Sequence, residues 1–112
     1  MDLNISSRSV GDWAVLDVEG EVDIFTAPKL RQQIADLVDA DRDRVVVNLL
    51  GVAFMDSSGL GALVGGLKRV KERDGTLHVV CAQGPVFRVL SITGLHQVLP
   101  VFPTVDEATV PA

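Results

Sequence analysis

A mixed α/β sheet with a parallel centre is the fold class predicted for this chain of 112 residues. Three observations lead there. Two β-like segments separated by Gly11-Asp12 open the chain. Helical and extended patterns then alternate in the order β-β-α-β-α-β-α-β-α, so the middle strands are joined by β-α-β crossovers, which make parallel neighbours with right-handed connections. Arg44-Val45-Val46-Val47-Asn48-Leu49 is almost continuously apolar, as a strand covered on both faces must be. We expect one domain spanning 1–112, with four to five strands packed against about four helices.

The elements follow in order. Leu3 to Val10 and Trp13 to Glu19 make an antiparallel pair, in which Trp13, Val15 and Asp17 alternate against Ala14, Leu16 and Val18. The intervening Gly-Asp reverses the favoured order of a hairpin turn. Thr26-Ala27-Pro28 reads as a cap with proline in the first helical turn. Leu30, Ile34, Leu37 and Val38 then recur at helical spacing until about Asp39. Asp41-Arg42-Asp43 is a solvated turn leading into the central strand. A second helix carries Leu60, Leu63, Val64, Leu67 and Val70 on one stripe and ends in Lys71-Glu72-Arg73-Asp74-Gly75, with glycine as its stop signal. Thr76 to Cys81 is a buried strand. Gly84-Pro85 opens a short helix with Val86, Val89 and Leu90 spaced to pack, closed by Gly94. Gln97 to Phe102 is an edge strand, and Thr104-Val105-Asp106-Glu107 has the form of a capping box that starts a last helix running to Pro111.

Composition narrows the function classes. Hydrophobic residues make up 47% of the chain and charged residues 22%, the balance of a folded domain, and the core is aliphatic because Trp13 and four phenylalanines are the only aromatic residues. The net charge of −5 and the scattering of basic among acidic residues argue against direct nucleic-acid binding. The longest apolar-plus-glycine run, Gly59 to Leu67, is too short for a membrane span, and Met1-Asp2-Leu3-Asn4 lacks the features of a secretion signal. The single cysteine, Cys81, cannot form an internal disulfide. The expectation is a soluble, cytoplasmic protein with no membrane partner and no cofactor.

The stretch GVAFMDSSGLGALVGGLKRV, residues 51–70, concentrates the unusual chemistry. Asp56-Ser57-Ser58-Gly59 stands where a strand becomes a helix, the position of functional crevices in such sheets. Ser57 or Ser58 would occupy the N-cap and satisfy a first-turn amide. Capping leaves the glycines unexplained, since each costs roughly 0.5–1 kcal/mol relative to alanine inside a helix. Gly61 and Gly65 share one face, which suits close approach either by a neighbouring helix of the same domain or by another protein.

Enzymatic readings lack their residues. Met55 stands where a Gly-x-Ser-x-Gly elbow needs glycine, His78 and His96 provide no base within reach of the serines by pattern, and Gly59-x-Gly61-x-x-x-Gly65 is out of register for a dinucleotide fingerprint. One cysteine and two distant histidines close no metal site. The chain is therefore expected not to be an enzyme, and the motif reads as acted upon rather than acting. Phosphorylation fits: a phosphoserine adds about −1.5 to −2 charges where helix amides and dipole favour an anion, so the domain tolerates it while a docked partner does not. A small-ligand or nucleotide-binding module without kinase-dependent switching is the alternative.

The segments FMDSSGLG (Phe54 to Gly61), GEVDIFTAPKLR (Gly20 to Arg31), GGLKRVKERDGTLHVVCAQ and VFRVLSITGL (Val86 to Leu95) closely resemble the bacterial anti-sigma factor antagonists of the STAS-domain family, in the form typical of actinobacteria. The resemblance covers essentially the whole chain. It implies partner switching: the unphosphorylated antagonist binds an anti-sigma factor that is also a serine kinase of the GHKL ATPase type and so frees the sigma factor, phosphorylation abolishes that binding, and a PP2C-type phosphatase resets the protein. It implies Ser57 as phosphoacceptor, Asp56 as the residue orienting Ser57 or the partner, Ser58 as a capping and subsidiary contact, Asp23 as an acidic position near the same surface, and Gly59 and Gly61 as the glycines opening the second helix, with Asp23, Asp56, Ser58, Gly59 and Gly61 together the expected partner-binding residues. Asp23 has a plainer reading as a solvated loop carboxylate.

Overall fold

The alternation of Trp13, Val15 and Asp17 against Ala14, Leu16 and Val18 becomes the two faces of a five-stranded sheet in a computed structural model that describes residues 2–110. β1 (Leu3–Val10) pairs antiparallel with β2 (Trp13–Val22), and β3 (Arg44–Met55), β4 (Thr76–Val80) and β5 (Val101–Phe102) follow in parallel, giving the order β1-β2-β3-β4-β5. α1 (Ala27–Asp39), α2 (Ser57–Lys71) and α3 (Pro85–Ile92) are the crossovers, and α4 (Val105–Ala108) ends the described chain. The mixed sheet with its parallel centre and four helices matches the expected class.

The larger core lies on one face, where Leu16, Val18, Val45, Val47 and Leu77 meet Leu30 and Ile34 of α1, Leu63 and Val70 of α2 and Leu90 of α3. Leu30 and Ile34 stand four apart and Leu63 and Val70 seven apart, so each pair lies on one stripe of its helix. The second face buries Trp13, Val15, Val46, Val80 and Ala108. His78 stacks on Trp13 with ring centroids 4.5 Å apart, and its Nδ1 lies 2.8 Å from the Ala108 carbonyl oxygen, tying α4 to the sheet. Beside them runs a polar row: Arg8 Nε donates to Asp17 Oδ2 at 2.7 Å and Asn48 Nδ2 donates to Asp17 Oδ1 at 2.8 Å. The Arg8 hydrogen bond holds the Asp17 carboxyl below its ordinary range, against the opposing effect of desolvation. Cys81 is buried, its thiol donates to the Ala82 carbonyl oxygen at 3.3 Å, and burial pushes its pKa up.

Several boundaries differ from expectation for identifiable reasons. β2 continues to Val22 and β3 to Met55, past Gly20 and Gly51, because the ladder absorbs two register shifts instead of ending. A Cβ at Gly51 would stand 2.8 Å from Glu19 Cγ, so the glycine admits the neighbouring strand at the bulge. The expected edge strand from Gln97 shrinks to Val101–Phe102, behind a 3-10 turn at Leu95–Gln97. Pro100 offers no N–H to extend that ladder, although its carbonyl accepts from the Val79 amide at 2.9 Å. At the end of α2, Asp74 rather than Gly75 takes the left-handed conformation, with φ 56°. Gly75 is required instead for space, since a Cβ there would stand 2.8 Å from Asp43 Cβ. Half of the capping box forms, Thr104 Oγ1 accepting from the Glu107 amide at 3.1 Å, and its helix is one turn long; the expected end at Pro111 lies outside the described residues.

Candidate functional site

β2 and β3 end side by side, with Val22 opposite Met55 and the Asp56 amide donating to the Val22 carbonyl oxygen at 3.2 Å. The loop after β2 and the start of α2 therefore leave the same end of the sheet, at the carboxyl ends of two parallel strands. Asp23 shapes that loop: its Oδ1 accepts from the backbone amides of Phe25 at 2.9 Å and Thr26 at 3.0 Å. These bonds, Thr26 foremost, hold the Asp23 carboxyl below its ordinary range while desolvation opposes them. Thr26 occupies the N-cap position of α1, yet its hydroxyl makes no cap. It turns back to donate to the Glu21 carbonyl oxygen at 2.8 Å and accepts from the Asp23 amide at 2.9 Å. The closed loop leaves Ile24 67% and Phe25 87% exposed, although both are large and apolar.

α2 begins differently from the expectation that a serine hydroxyl caps it. Asp56 is the N-cap, in an extended conformation, and its Oδ1 accepts from the Ser58 amide at 2.8 Å. A charged acceptor at a helix N-terminus also interacts favourably with the dipole, so Asp56 takes the role and both serines move into the first turn. Ser58 is half-buried there, whereas Ser57 is exposed. Capping by Asp56 thus leaves Ser57 at the surface, at the same end of the sheet as the loop that carries Ile24 and Phe25.

The glycines divide by function. Gly59, expected on the partner-binding surface, is buried, and a Cβ there would stand 2.5 Å from Met55 Cγ and 2.9 Å from Val22 Cγ1. It lets α2 start tight against the strand ends and contributes to the site only by position. Gly66 is likewise internal, with space for no Cβ beside Ile34 Cδ1 at 2.8 Å, so close approach of α1 accounts for it. Gly61 is exposed and Gly65 half-buried; the Arg31 side chain of α1 lies along both, each potential Cβ being 3.7 Å from a guanidinium nitrogen.

Ser57, Asp56, Ser58, Asp23 and Gly61 thus follow the carboxyl ends of β2 and β3, at one end of the sheet. Sequence reasoning missed Ile24, Phe25 and Arg31. The first two carried a signal, two large apolar neighbours between Asp23 and Thr26 that fit no period. Arg31 carried none, because its position over Gly61 depends on how α1 crosses α2. Among the described residues no three His, Cys, Asp or Glu side chains group to hold a metal ion, and no helix is long and apolar enough to cross a membrane.

The STAS domain family model matches residues 4–108. An anti-sigma-B factor antagonist of Staphylococcus epidermidis is 35% identical over 99 residues, covering 88% of this chain and 92% of its own. That of Staphylococcus aureus is 35% identical over 100 residues with the same coverage. Among solved structures, an anti-sigma factor antagonist from Mycobacterium paratuberculosis superimposes with a TM-score of 0.88 at 30% identity, over 96% of this chain and 91% of that one. The unphosphorylated form of the anti-sigma factor antagonist SpoIIAA shares the fold, with a TM-score of 0.71 at 19% identity over 93% and 92% of the two chains. The chain belongs to the STAS-domain family, in the group of bacterial anti-sigma factor antagonists.

Proposed function

We propose that this protein is a partner-switching antagonist: unphosphorylated, it binds a cognate anti-sigma factor of the serine-kinase, GHKL ATPase type and releases the sigma factor; phosphorylated on Ser57, it does not bind. The observation that carries the reading is the exposed Ser57 in the first turn of α2, freed from capping by Asp56, at the same end of the sheet as the loop with the exposed Ile24 and Phe25. Exposed apolar side chains beside a flat helix start are what a protein partner would desolvate on docking. In the phosphorylation step the Ser57 Oγ forms a bond to the γ-phosphorus of the partner's ATP as the bond to the leaving ADP breaks, and the hydroxyl proton passes to a base on the kinase. The new charge then lies within the interface beside Asp56, where burial without a partner charge is unfavourable. A PP2C-type phosphatase restores the hydroxyl. Within this scheme Asp23 acts by folding the loop, Asp56 by starting the helix, and Ser58 and Gly61 by bordering the acceptor.

Calorimetric titration with a cognate kinase-type anti-sigma factor tests the reading. Ser57→Asp should weaken binding by on the order of 2 kcal/mol or more, at least about 30-fold. Ser57→Ala should bind as the wild type does yet take up no phosphate from kinase and ATP. Unweakened binding by Ser57→Asp, together with phosphate uptake at another residue, would overturn the proposal.

A further inference from the structure

The start of α2 has little left to offer a phosphate. The Ser58 amide is taken by Asp56 Oδ1, and the Gly59 and Leu60 amides donate to the Asp56 carbonyl oxygen at 3.1 and 3.3 Å. The Asp56 carboxylate adds a negative charge directly beside Ser57. A phosphoserine tolerated by the folded domain therefore needs a cation from elsewhere.

Arg31 is placed to supply it. The ion pairs among the described residues join Arg8 to Asp17, Arg69 to Asp39 and Arg73 to Asp41, and Arg31 belongs to none of them. Its side chain rests lengthwise on α2: Nε is 3.7 Å from the potential Cβ of Gly65, and Nη2 is 3.7 Å from that of Gly61. The guanidinium fork thus points toward the first turn of α2. Ser57, Gly61 and Gly65 are spaced by four and share a stripe, so Ser57 lies about one turn beyond Gly61, roughly 6 Å along the axis. Gly61, standing between Ser57 and Gly65 on that stripe, contributes no side chain of its own.

We propose that Arg31 is the clamp for the phosphate of phosphorylated Ser57, sliding along the Gly61–Gly65 track to form a bidentate, charge-assisted pair with the phosphate oxygens. The inference rests on Ser57 being the phosphoacceptor. It assigns the two exposed-side glycines a purpose that helix packing does not, and it explains how one charge can close a surface to a partner without straining the fold: the clamp offsets the repulsion from Asp56 and fixes the phosphate over the surface that the partner would cover.

The test uses the full chain with phosphoserine genetically encoded at position 57, so that no kinase is required, and follows the phosphorus resonance from about pH 4 to about pH 8, across the ordinary second pKa near about 6. Pairing with a cation favours the dianion, so the pKa in the otherwise wild-type chain should lie below that of Arg31→Gln by roughly half a unit or more. Arg31→Lys, a point charge without the fork, should fall between. The Arg31 Nε nitrogen resonance should also shift between the unphosphorylated and phosphorylated chains. Coincident titrations for wild type and Arg31→Gln would overturn the clamp, and so would full retention of the shift by Arg31→Lys, which would reveal a distant field rather than a held phosphate. Melting curves check that both variants fold. In a parallel measurement, equally tight binding of a kinase-type anti-sigma factor by the phosphorylated and unphosphorylated chains would refute the switch proposed above while leaving the titration result standing.

Discussion

On one face of the sheet α1, α2 and α3 close over Leu16, Val18, Val45 and Val47; on the other, the four-residue α4 covers Trp13, Val46 and Val80 while Arg8, Asp17 and Asn48 form a hydrogen-bonded row. The candidate site lies at the margin of the first face. The proposed docking surface is therefore backed by the larger of the two buried clusters, so a charge can be added at Ser57 while the scaffold beneath stays put. The lightly covered face has a different duty, holding the end of the chain through His78.

That contrast can be broken most sharply at Leu63, which is fully buried between α2 and the sheet. Leu63→Ala should lose about 2–5 kcal/mol in denaturant unfolding, because a cavity is added to the lost transfer energy. Val105→Ala on the other face, where the side chain is only half-buried, should lose about 1 kcal/mol. Similar losses at the two positions would show that the faces contribute alike.

Gly66→Val comes next, at about 1–3 kcal/mol of overpacking against Ile34, and Ile34→Val in the same chain should recover part of the loss. Gly61→Ala, one turn and a residue earlier on the same helix, should do the reverse. Its new Cβ would meet Arg31 at ordinary contact distance, so the helix gains about 0.5–1 kcal/mol, visible as a higher melting temperature.

Arg8→Ala should have the smallest effect, a few tenths of a kcal/mol, because solvent screens an ion pair in which the Arg8 side chain is 48% exposed. The pH dependence gives its sign. Asp17 has a lower pKa folded than unfolded, so the pair stabilises fully above the unfolded carboxylate range of about 4 and loses its effect as pH falls through the lower folded value. Wild type and Arg8→Ala should therefore converge in stability on the acid side; a difference that persists there would point to lost packing rather than charge.

Residue patterns that depend on neighbours three, four or two positions away were legible in the sequence. The limits of α1 follow from helical spacing and the two faces of β2 from simple alternation, whereas of the expected α2 stripe Leu63 and Val70 are buried, Leu60, Val64 and Leu67 are half-buried, and Gly59, Ala62 and Gly66 complete the buried face. Features that depend on a partner strand were not. Gly20 and Gly51 look like interruptions in isolation, and their bulges exist only because β2 and β3 lie in register beyond them. The site divides in the same way. Ser57 at a strand-to-helix junction was readable, while the choice of Asp56 over either serine as cap depends on which residue takes the extended conformation. That Gly66 serves α1 and Gly61 lies beneath Arg31 is a consequence of the helix crossing, which the periodicity of either helix alone does not determine.

Cys81 offers a built-in clock. It is the one thiol in the chain, and while the domain is closed its sulfur is shielded and biased toward the unreactive protonated form. An alkylating reagent then reaches it mainly during local openings around the end of β4, so the labelling half-life measures how often that end of the sheet loosens. Timed with and without a modified Ser57, the same sulfur would register whether the regulatory state alters the breathing of the scaffold.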